Sequence, residues 1–232
     1  MTNQNILLAS ATAVVLAGAA YFSPVLWRRQ RIARLRRQFA SNRILALTYD
    51  DGPCPVMTPQ ILDLLQRRSA QATFFMLGRQ AQNHREIMQR IVREGHSAGC
   101  HTSRHLNAWK VLPSAAVSDI RDGYEELSPW VAEDGMFRPP FGKMTLPTYN
   151  EIRRRGASVW WWTLDSGDTK GTLPKVSDVA DAVRKQGGGI VLMHDLERGQ
   201  RRNQFVLELT DALIAIAKRE SLQVKPLTAA MS

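Results

Sequence analysis

Short apolar runs alternate with amphipathic stretches from residue 44 onward, and this alternation constrains the fold more than any other feature. The runs have the length and composition of buried strands, and they cover residues 44–49, 72–77, 96–100, 136–137, 158–164, 189–194 and 223–227. Between them we predict one helix that starts at the N-cap Thr58 and five more at residues 83–94, 114–127, 146–155, 176–186 and 203–219. Repeated strand–helix units of this kind indicate a mainly parallel sheet or barrel with helices outside.

An uncharged segment of 22 residues, 6–27, precedes the alternating part and is rich in Leu, Ala and Val. As a helix it would measure about 33 Å, enough to cross a hydrocarbon core of about 30 Å. A cleaved signal peptide is the alternative, because small residues within the segment could form a cleavage site. The lack of Lys and Arg in residues 1–5 and the six Arg of residues 28–37 favour a retained transmembrane anchor. We therefore divide the chain into an anchor with a basic juxtamembrane segment, residues 1–43, and one globular domain, residues 44–232.

The charge of the chain is unevenly distributed. The net charge is +10, but residues 1–43 contain seven Arg and no acidic residue, which leaves 24 basic and 21 acidic residues in the remainder. Arginines beside a membrane segment attract anionic headgroups, whereas a nearly neutral domain lacks the basic surface of a nucleic-acid-binding protein. Because basic flanks favour the cytoplasmic side, we expect a single-pass protein of the inner (cytoplasmic) membrane whose domain faces the cytoplasm. The opposite orientation, with the domain outside, is the alternative.

Polar residues capable of catalysis follow the predicted strands at the points where the strands end. In strand order they are Asp50 and Asp51, His101, Arg138, Asp165 and Asp168, and His194. Parallel strands bring their carboxyl ends to the same edge, where barrels and open α/β sheets gather their active sites. The sequence therefore predicts one active site at that edge.

Two of these groups have the composition of a metal site. His101 and His105 are spaced i, i+4, so on one helical turn both imidazoles would lie on the same side and reach a single ion. One Asp would complete a set of two His and one Asp, which leaves open positions for water on a divalent metal. The other carboxylate of the adjacent pair, Asp50 or Asp51, would then be the base for that water.

Five segments resemble the polysaccharide deacetylase family, which is also called carbohydrate esterase family 4 or the NodB-homology domain. In the family's order they are Thr48-Tyr49-Asp50-Asp51-Gly52-Pro53, His101-Thr102-Ser103-Arg104-His105, Arg138-Pro139-Pro140-Phe141-Gly142, Asp165-Ser166-Gly167-Asp168 and Leu192-Met193-His194. The resemblance extends over about residues 41–228. It implies an α/β fold, a distorted (β/α) barrel of about seven parallel strands with outer helices, preceded here by the transmembrane helix.

The resemblance also implies a role for each residue of the metal site and its base. Asp51, His101 and His105 would hold a divalent ion, zinc in the first place and cobalt as the alternative. Asp50 would be the general base that takes a proton from metal-bound water. Arg138 would pair with Asp50 and keep it ionised and oriented.

The remaining roles concern the tetrahedral oxyanion and the leaving amine. The metal and the backbone N–H of Phe141 would stabilise the oxyanion. His194 would be the general acid that protonates the amine, and Asp168 would support the charged form of His194. The implied reaction is metal-dependent removal of an N-acetyl group from an amino sugar in a glycan or lipid-linked oligosaccharide, with release of acetate.

The chain departs from the family pattern at three places near this site. Thr169 follows Asp168 where the family usually has Trp, so the substrate-facing loop is altered. Phe141 stands where Tyr is common, which removes a hydroxyl but keeps the backbone donor. Cys100 stands where Asn is frequent, and Cys54 lies near the other half of the site. We expect both thiols to be small, partly buried side chains rather than ligands.

Several other polar and aromatic residues have structural interpretations. We expect Asp165 to bind loop backbone, and His84 and His96 to be solvated. Successive strand residues alternate between faces, so at least some of the three tryptophans at residues 160–162 must be packing residues. We expect all three to pack in the core rather than to stack on a sugar. Trp109, in the loop after the histidine pair, is a candidate for the wall of a substrate groove.

Two other functions are compatible with the same scaffold. A deformylase of a lipid-linked formamido sugar would use the same apparatus, and the size of the substituent would distinguish it. A catalytically silent glycan-binding protein would be favoured if Asp50, a metal ligand or His194 were missing, and none of them is. We therefore expect a hydrolase of carbon–nitrogen amide bonds whose partners are an N-acetylated glycan or glycolipid and the membrane.

Overall fold

The structure is a computed structural model that describes Gly18 and residues 21–230. Most of the predicted transmembrane segment, namely residues 6–17, 19 and 20, lies outside the described residues. Among the helices that the structure describes, none is both long and apolar enough to cross a membrane.

Helices and strands alternate along the described chain. The helices are α1 (Pro24–Ser41), α2 (Met57–Arg67), α3 (Gly78–Asn83), α4 (Arg85–Arg93), α5 (Pro113–Leu127), α6 (Leu146–Arg154), α7 (Val176–Gln186) and α8 (Gln200–Arg219). The strands are β1 (Ile44–Asp50), β2 (Thr73–Met76), β3 (Ser97–Cys100), β4 (Met136–Phe137), β5 (Ser158–Val159), β6 (Leu164–Asp165), β7 (Gly189–His194) and β8 (Gln223–Val224). Each helix and strand predicted after residue 43 has a counterpart here, except that one predicted strand is divided in two.

The strands form one parallel sheet. Their order is β5-β4-β3-β2-β1-β7-β6, and β8 pairs with the start of β1. The central strand β1 pairs with β7 along six positions and with β2 along three. All of its residues are buried, as expected for a parallel strand covered on both faces. The predicted parallel α/β sheet is therefore confirmed.

The prediction of a single strand at residues 158–164 is wrong, because this segment contributes to both edges of the sheet. β5 pairs with β4 at one edge, whereas β6 pairs with β7 at the other. The short connection between them can span at most about 18 Å, so the two edges must curve toward each other. The N–H of Trp160 bonds to the carbonyl of Phe137 at 2.8 Å, and that of Thr163 bonds to Ile190 at 2.9 Å. The segment between β5 and β6 thus closes the barrel, although these two strands do not pair with each other.

Side chains of β1 alternate between two apolar clusters, as the two-residue period of a strand requires. Leu45 and Leu47 belong to the larger cluster, which includes side chains of α8 and the other outer helices. Ile44 and Ala46 belong to a smaller cluster inside the barrel. Asp50 continues the inward-facing series at the carboxyl end of the strand, which brings its carboxylate to the mouth of the barrel.

Helix α1 lies along the segment that closes the barrel. It contacts three successive residues there, in the pairs Trp27–Trp161 (4.9 Å between ring centroids), Arg28–Trp162 (5.4 Å) and Arg36–Thr163 carbonyl (3.3 Å). Its Leu35 and Phe39 are fully buried in the inner cluster. The helix ends beside Gly188, at the start of β7, so its first turn lies at the carboxyl edge of the sheet. Residues 24–27, which the sequence assigned to the end of the transmembrane segment, and residues 28–41, which it assigned to the juxtamembrane segment, are packed on the barrel as one helix.

Replacing Phe39 with Ala tests whether α1 belongs to the cooperative fold. Phe39 is 1% exposed, so Phe39→Ala should lower the free energy of unfolding by about 3–5 kcal/mol through the cavity it leaves. Urea denaturation followed by circular dichroism measures this change. The exposed Gln30 on the same helix provides the control, and Gln30→Ala should stay within about 0.5 kcal/mol of the wild type. Equal stability of the two variants would contradict the packing of α1 on the barrel.

Candidate active site

The carboxyl ends of the strands surround a pocket of about 300 Å³. It is lined by Asp50, Asp51, His101, His105, Phe141, Trp162, Asp165, Thr169, Leu192, His194 and Arg198. Two further predicted residues, Arg138 and Asp168, are buried and hydrogen-bond to pocket residues. A larger hollow between α2 and α8 is lined by surface ion-pair and apolar residues. The convergence of functional groups, rather than volume, therefore identifies the site.

Three of the lining residues have the arrangement of a metal-binding group. One donor atom each of Asp51, His101 and His105 lies within 4.8 Å of the others. Asp51 Oδ1 is 3.2 Å from His105 Nε2 and 3.5 Å from His101 Nε2, and it is buried without a hydrogen-bond partner among the described residues. His101 Nδ1 bonds to the carbonyl of Arg138 at 2.7 Å, which directs Nε2 to the ion position as in most metal-binding histidines. These residues fit a divalent cation.

The histidine pair converges by a different route from the one predicted. Residues 101–112 form a loop between β3 and α5, and no helical turn joins the two histidines. The left-handed backbone of Thr102 (φ 69°) and His105 (φ 61°) turns the chain instead. The prediction of a shared helical turn is wrong, because side-chain contacts from another element shape this loop.

Asp119 of α5 holds the loop, and sequence analysis missed it. Its carboxylate accepts the backbone N–H groups of Arg104 at 2.8 Å and of Leu106 at 3.0 Å. Its own carbonyl accepts the N–H of Ser103 at 2.9 Å. Asp119 is 1% exposed. Asp119 thus binds three backbone N–H groups of this loop, two through its carboxylate and one through its carbonyl, and so holds the segment that carries the two histidines.

Backbone strain is concentrated at the site. Asp51 (φ 76°) and Phe141 (φ 57°) also adopt left-handed conformations, which are uncommon for residues other than Gly. Such conformations persist where surrounding contacts enforce them, and they cluster at functional sites. Burial alone would raise the pKa of Asp51, but the imidazoles of His101 and His105 hold that pKa well below its usual range. Asp51 is therefore present as a carboxylate.

The second carboxylate, Asp50, is fixed by a buried arginine. Arg138 is fully buried and donates from Nη1 to Asp50 Oδ1 at 2.7 Å and to Thr48 Oγ1 at 2.8 Å. The other carboxylate oxygen, Oδ2, lies 3.8 Å from His101 Nε2 and so faces the ion position. The two adjacent carboxylates thus have different environments. Asp51 lies among the metal donors, and Asp50 is held beside them by Arg138.

On the other side of the pocket, His194 and Asp168 form a pair. His194 Nδ1 lies 3.0 Å from Asp168 Oδ1, and the backbone N–H of His194 donates to Oδ2 at 2.8 Å. Burial lowers the pKa of His194, but the Asp168 carboxylate outweighs it and raises this pKa to about 9. His194 is therefore protonated at neutral pH. With Nδ1 bound to Asp168, its Nε2–H is the proton that faces the pocket.

Asp195 is a further buried carboxylate that sequence analysis missed. It is 0% exposed, and burial raises its pKa to about 7. Thr58 donates to its Oδ2 at 2.6 Å, and its backbone N–H donates to the carbonyl of Asp50 at 3.2 Å. A side chain at Gly52 would collide with its carboxylate. The position of an Asp directly after His194 was the available signal.

The prediction of Thr58 as a helix N-cap is wrong, because α2 begins at Met57 and the Thr58 hydroxyl donates to Asp195 instead.

Arg198 is another lining residue that the sequence did not single out. Its guanidinium lies 3.3 Å from Asp51 Oδ2. Cys54 and Cys100 are buried and free, and neither belongs to the metal-binding group found among the described residues.

The structural interpretations of the remaining residues are confirmed in part. Asp165 accepts the N–H of Gly167 at 2.8 Å, as expected. Trp160 and Trp161 are buried, whereas Trp162 lines the pocket. His96 is not solvated. It is 7% exposed, Nδ1 accepts the N–H of Ala72 at 3.2 Å, and burial lowers its pKa to about 4.

Comparisons with known proteins agree with this geometry. A family model for polysaccharide deacetylase matches residues 38–179. A peptidoglycan-N-acetylglucosamine deacetylase of Bacillus cereus is 36% identical over 183 residues, which cover 77% of this chain and 84% of that protein. A chitooligosaccharide deacetylase of Bradyrhizobium sp. is 31% identical over 202 residues, which cover 81% of this chain and 90% of that protein.

A solved structure supports the same relationship. The crystal structure of the Bc1960 peptidoglycan N-acetylglucosamine deacetylase in complex with 4-naphthalen-1-yl-N-oxidanyl-benzamide superimposes with a TM-score of 0.74 at 29% sequence identity. The match covers 82% of this chain and 89% of that chain. The barrel and its connections are therefore shared over most of both molecules.

The pairing of His194 with Asp168 predicts a measurable titration. In protein stripped of metal, the His194 imidazole should titrate near pH 9 and be charged below it. Asp168→Asn removes the carboxylate that raises this pKa, so the titration should move down toward or below the ordinary value of about 6.5. Nuclear magnetic resonance of the ring Cε1–H as a function of pH measures both values. An unchanged His194 titration in Asp168→Asn would show that Asp168 does not set the charge of the histidine.

Proposed function

The chain belongs to the polysaccharide deacetylase family, and on that premise we propose that it is a metal-dependent hydrolase that removes N-acetyl groups from an amino sugar of a glycan and releases acetate. Membership makes it a hydrolase of carbon–nitrogen amide bonds. The observation that carries the proposal is one pocket in which a two-His, one-Asp donor set lies between a buried Arg138–Asp50 pair and a charged His194–Asp168 pair.

Asp51, His101 and His105 are the proposed ligands of the ion. Imidazole and carboxylate donors suit zinc, which keeps an open position when it has three protein ligands, and cobalt is the alternative. When bound, such an ion supplies Lewis acidity and lowers the pKa of water toward about 7.

Asp50 is the proposed general base. Arg138 binds Oδ1 and thereby orients the carboxylate, while Oδ2 faces the donor set and is available to accept a proton from water. Geometry supports this role, because a base must lie within reach of the proton that it takes. The same geometry leaves Asp51 as the ligand of the two adjacent carboxylates.

His194 is the proposed general acid. Its imidazole is protonated at neutral pH because of Asp168, so it can give a proton to the amine nitrogen as the carbon–nitrogen bond breaks. The products are a free amino sugar and acetate. Phe141, whose ring lies 4.5 Å from that of His105, is proposed to stabilise the oxyanion through its backbone N–H.

The proposed substrate is a glycan or lipid-linked oligosaccharide that contains an N-acetylated hexosamine. The relatives named as peptidoglycan-N-acetylglucosamine and chitooligosaccharide deacetylases support this class. The same names favour acetyl over formyl removal. The presence of Asp50, His194 and the complete donor set disfavours a silent glycan-binding protein.

We also propose that the protein is anchored in the inner membrane through the part of the uncharged segment that precedes α1, with the catalytic domain in the cytoplasm. The support is the sequence, in which the basic residues lie only on the carboxyl side of the uncharged segment. A cytoplasmic domain would modify lipid-linked sugars before export. In intact spheroplasts the domain should resist added protease and be digested only after lysis. Digestion without lysis would reverse the orientation and make wall glycans the accessible substrate.

Variants of the two carboxylates and the histidines test the proposed division of labour. Chelation should abolish acetate release from an N-acetylated chitooligosaccharide, and added zinc should restore it. Asp50→Asn should abolish turnover while bound zinc stays near the wild-type level, because Asp50 is the base and not a ligand. His101→Ala should lose the metal, and His194→Ala should lower turnover by about 10²–10⁴ with the metal retained.

Metal content by mass spectrometry and acetate release by an enzymatic assay are the two measurements. Loss of zinc from Asp50→Asn would contradict the assignment of the two carboxylates. Full turnover of His101→Ala after chelation would overturn the metal site itself.

A further inference from the structure

Exposed apolar side chains are concentrated beside the pocket. In the described part of the chain the large ones are Phe22, Leu26, Val56, Val92, Trp109, Leu112 and Phe141. Five of these form what we call the aromatic rim, which consists of Phe22, Leu26, Trp109, Leu112 and Phe141. Monomeric soluble proteins rarely expose large apolar groups together, so such a patch indicates an interaction surface.

Contacts join the two halves of the aromatic rim. The Phe22 ring packs edge-on against Trp109, with centroids 5.6 Å apart. Leu26 lies one turn further along, and it is 66% exposed. Leu112, at 73% exposed, follows Trp109 by three residues in the loop before α5. The start of α1 and the loop that carries the histidines therefore share one surface.

The aromatic rim continues to the mouth of the pocket. Trp109 Nε1 donates to the carbonyl of Met144 at 3.1 Å, and the ammonium of Lys143 lies 4.8 Å from the Trp109 ring centroid. Phe141, two residues before Lys143, is 52% exposed and lines the pocket. Arg28 lies over Trp162, which also lines the pocket. The rim thus borders the opening through which substrate must enter.

The charge of the residues beside the aromatic rim and the path of the chain into α1 indicate what this surface binds. Arg28, Arg29, Lys110 and Lys143 flank the apolar side chains, and the stretch 21–43 contains no acidic residue. Exposed aromatic and aliphatic groups with Lys and Arg beside them have the composition of a membrane interface. The uncharged run of residues 6–27 includes Phe22 and Leu26 of the rim, so the apolar segment before α1 joins the fold at this patch. An anionic lipid bilayer would accommodate the exposed apolar groups, attract the basic residues beside them and receive the apolar segment that precedes α1.

We propose that the aromatic rim docks on an anionic bilayer, so that the pocket opens onto the headgroup layer and takes its amino sugar from a lipid-linked carrier. The substrate class in this inference rests on the proposed function, whereas the docking does not. With its first turn at the bilayer, α1 extends away from the membrane along the barrel. The opposite end of the barrel, where Val92 of α4 is 47% exposed, then points away from the lipid.

Site-specific labelling of the full chain tests the docking. Leu112→Cys and the matched control Val92→Cys would each carry an environment-sensitive nitrobenzoxadiazole probe. The native Cys54 and Cys100 are 6% and 0% exposed, so the unsubstituted protein reports background labelling. After reconstitution into phosphatidylglycerol–phosphatidylethanolamine vesicles, the probe at residue 112 should shift its emission to the blue and be quenched by nitroxide-labelled lipid. The probe at residue 92 should do neither.

Equal, unquenched emission at both positions would overturn the proposal. A blue shift at residue 112 that needs no vesicles and grows with protein concentration would assign the rim to self-association and overturn it as well. These measurements require no turnover. Failure of the proposed function would therefore appear separately, as absence of acetate release from any N-acetylated glycan.

A second experiment tests whether docking on the bilayer determines which substrate is used. Leu26→Glu combined with Leu112→Glu should lower turnover of an N-acetylated amino sugar on a lipid carrier in anionic vesicles by about tenfold, because two apolar contacts with the bilayer are lost. Turnover of a soluble chitooligosaccharide should stay at the wild-type level, as it should in the control Val92→Glu for both substrates. An equal loss on both substrates, or no loss on the lipid-linked one, would contradict delivery from the bilayer.

Discussion

The site depends on the ion pair between the buried guanidinium of Arg138 and the carboxylate of Asp50. A fully buried charge is costly unless it is paired, and here Asp50 at 2.7 Å, Thr48 at 2.8 Å and the Phe75 ring at 4.0 Å surround it. The carbonyl of the same residue receives His101 Nδ1. One residue therefore fixes both the carboxylate proposed as base and a ligand of the ion. Removing one partner of such a pair would leave an uncompensated buried charge, at a cost of about 3–5 kcal/mol.

The sequence predicted what depends on local periodicity and on the direction of strands. The parallel sheet and the gathering of Asp50, His101 and His194 at one edge followed from strand-like runs and from the rule that parallel carboxyl ends meet. What it could not predict depends on contacts between distant residues. The loop that carries the histidines is shaped by Asp119, and the division of the strand at residues 158–164 follows from closing the barrel. His96 is buried because Phe74 packs against it, with ring centroids 5.5 Å apart.

Asp195 is another residue whose role could not be predicted from the sequence. Its neighbour His194 was found because the motif contains it, whereas the Asp that directly follows this histidine is visible in the sequence but does not reveal its role there. Its role depends on Thr58 and Gly52, which follow the neighbouring strand β1. The glycine leaves room for the carboxylate, and the hydroxyl satisfies one of its oxygens. Together these contacts hold the turn that carries Asp50 and Asp51 against the end of β7.

Helix α1 makes the proposed approach to the membrane part of the fold. Had residues 24–43 been a flexible linker, the domain could reach glycans at a distance set by linker length. Instead Leu35 and Phe39 are buried inside the barrel, and Arg28 lies against Trp162 at the pocket. The chain that enters α1 is thus held at a fixed distance from the catalytic groups. In the proposed membrane-anchored state, this rigid joint would limit the substrates within reach to those that lie beside the anchor, so the same helix would determine both attachment and substrate selection.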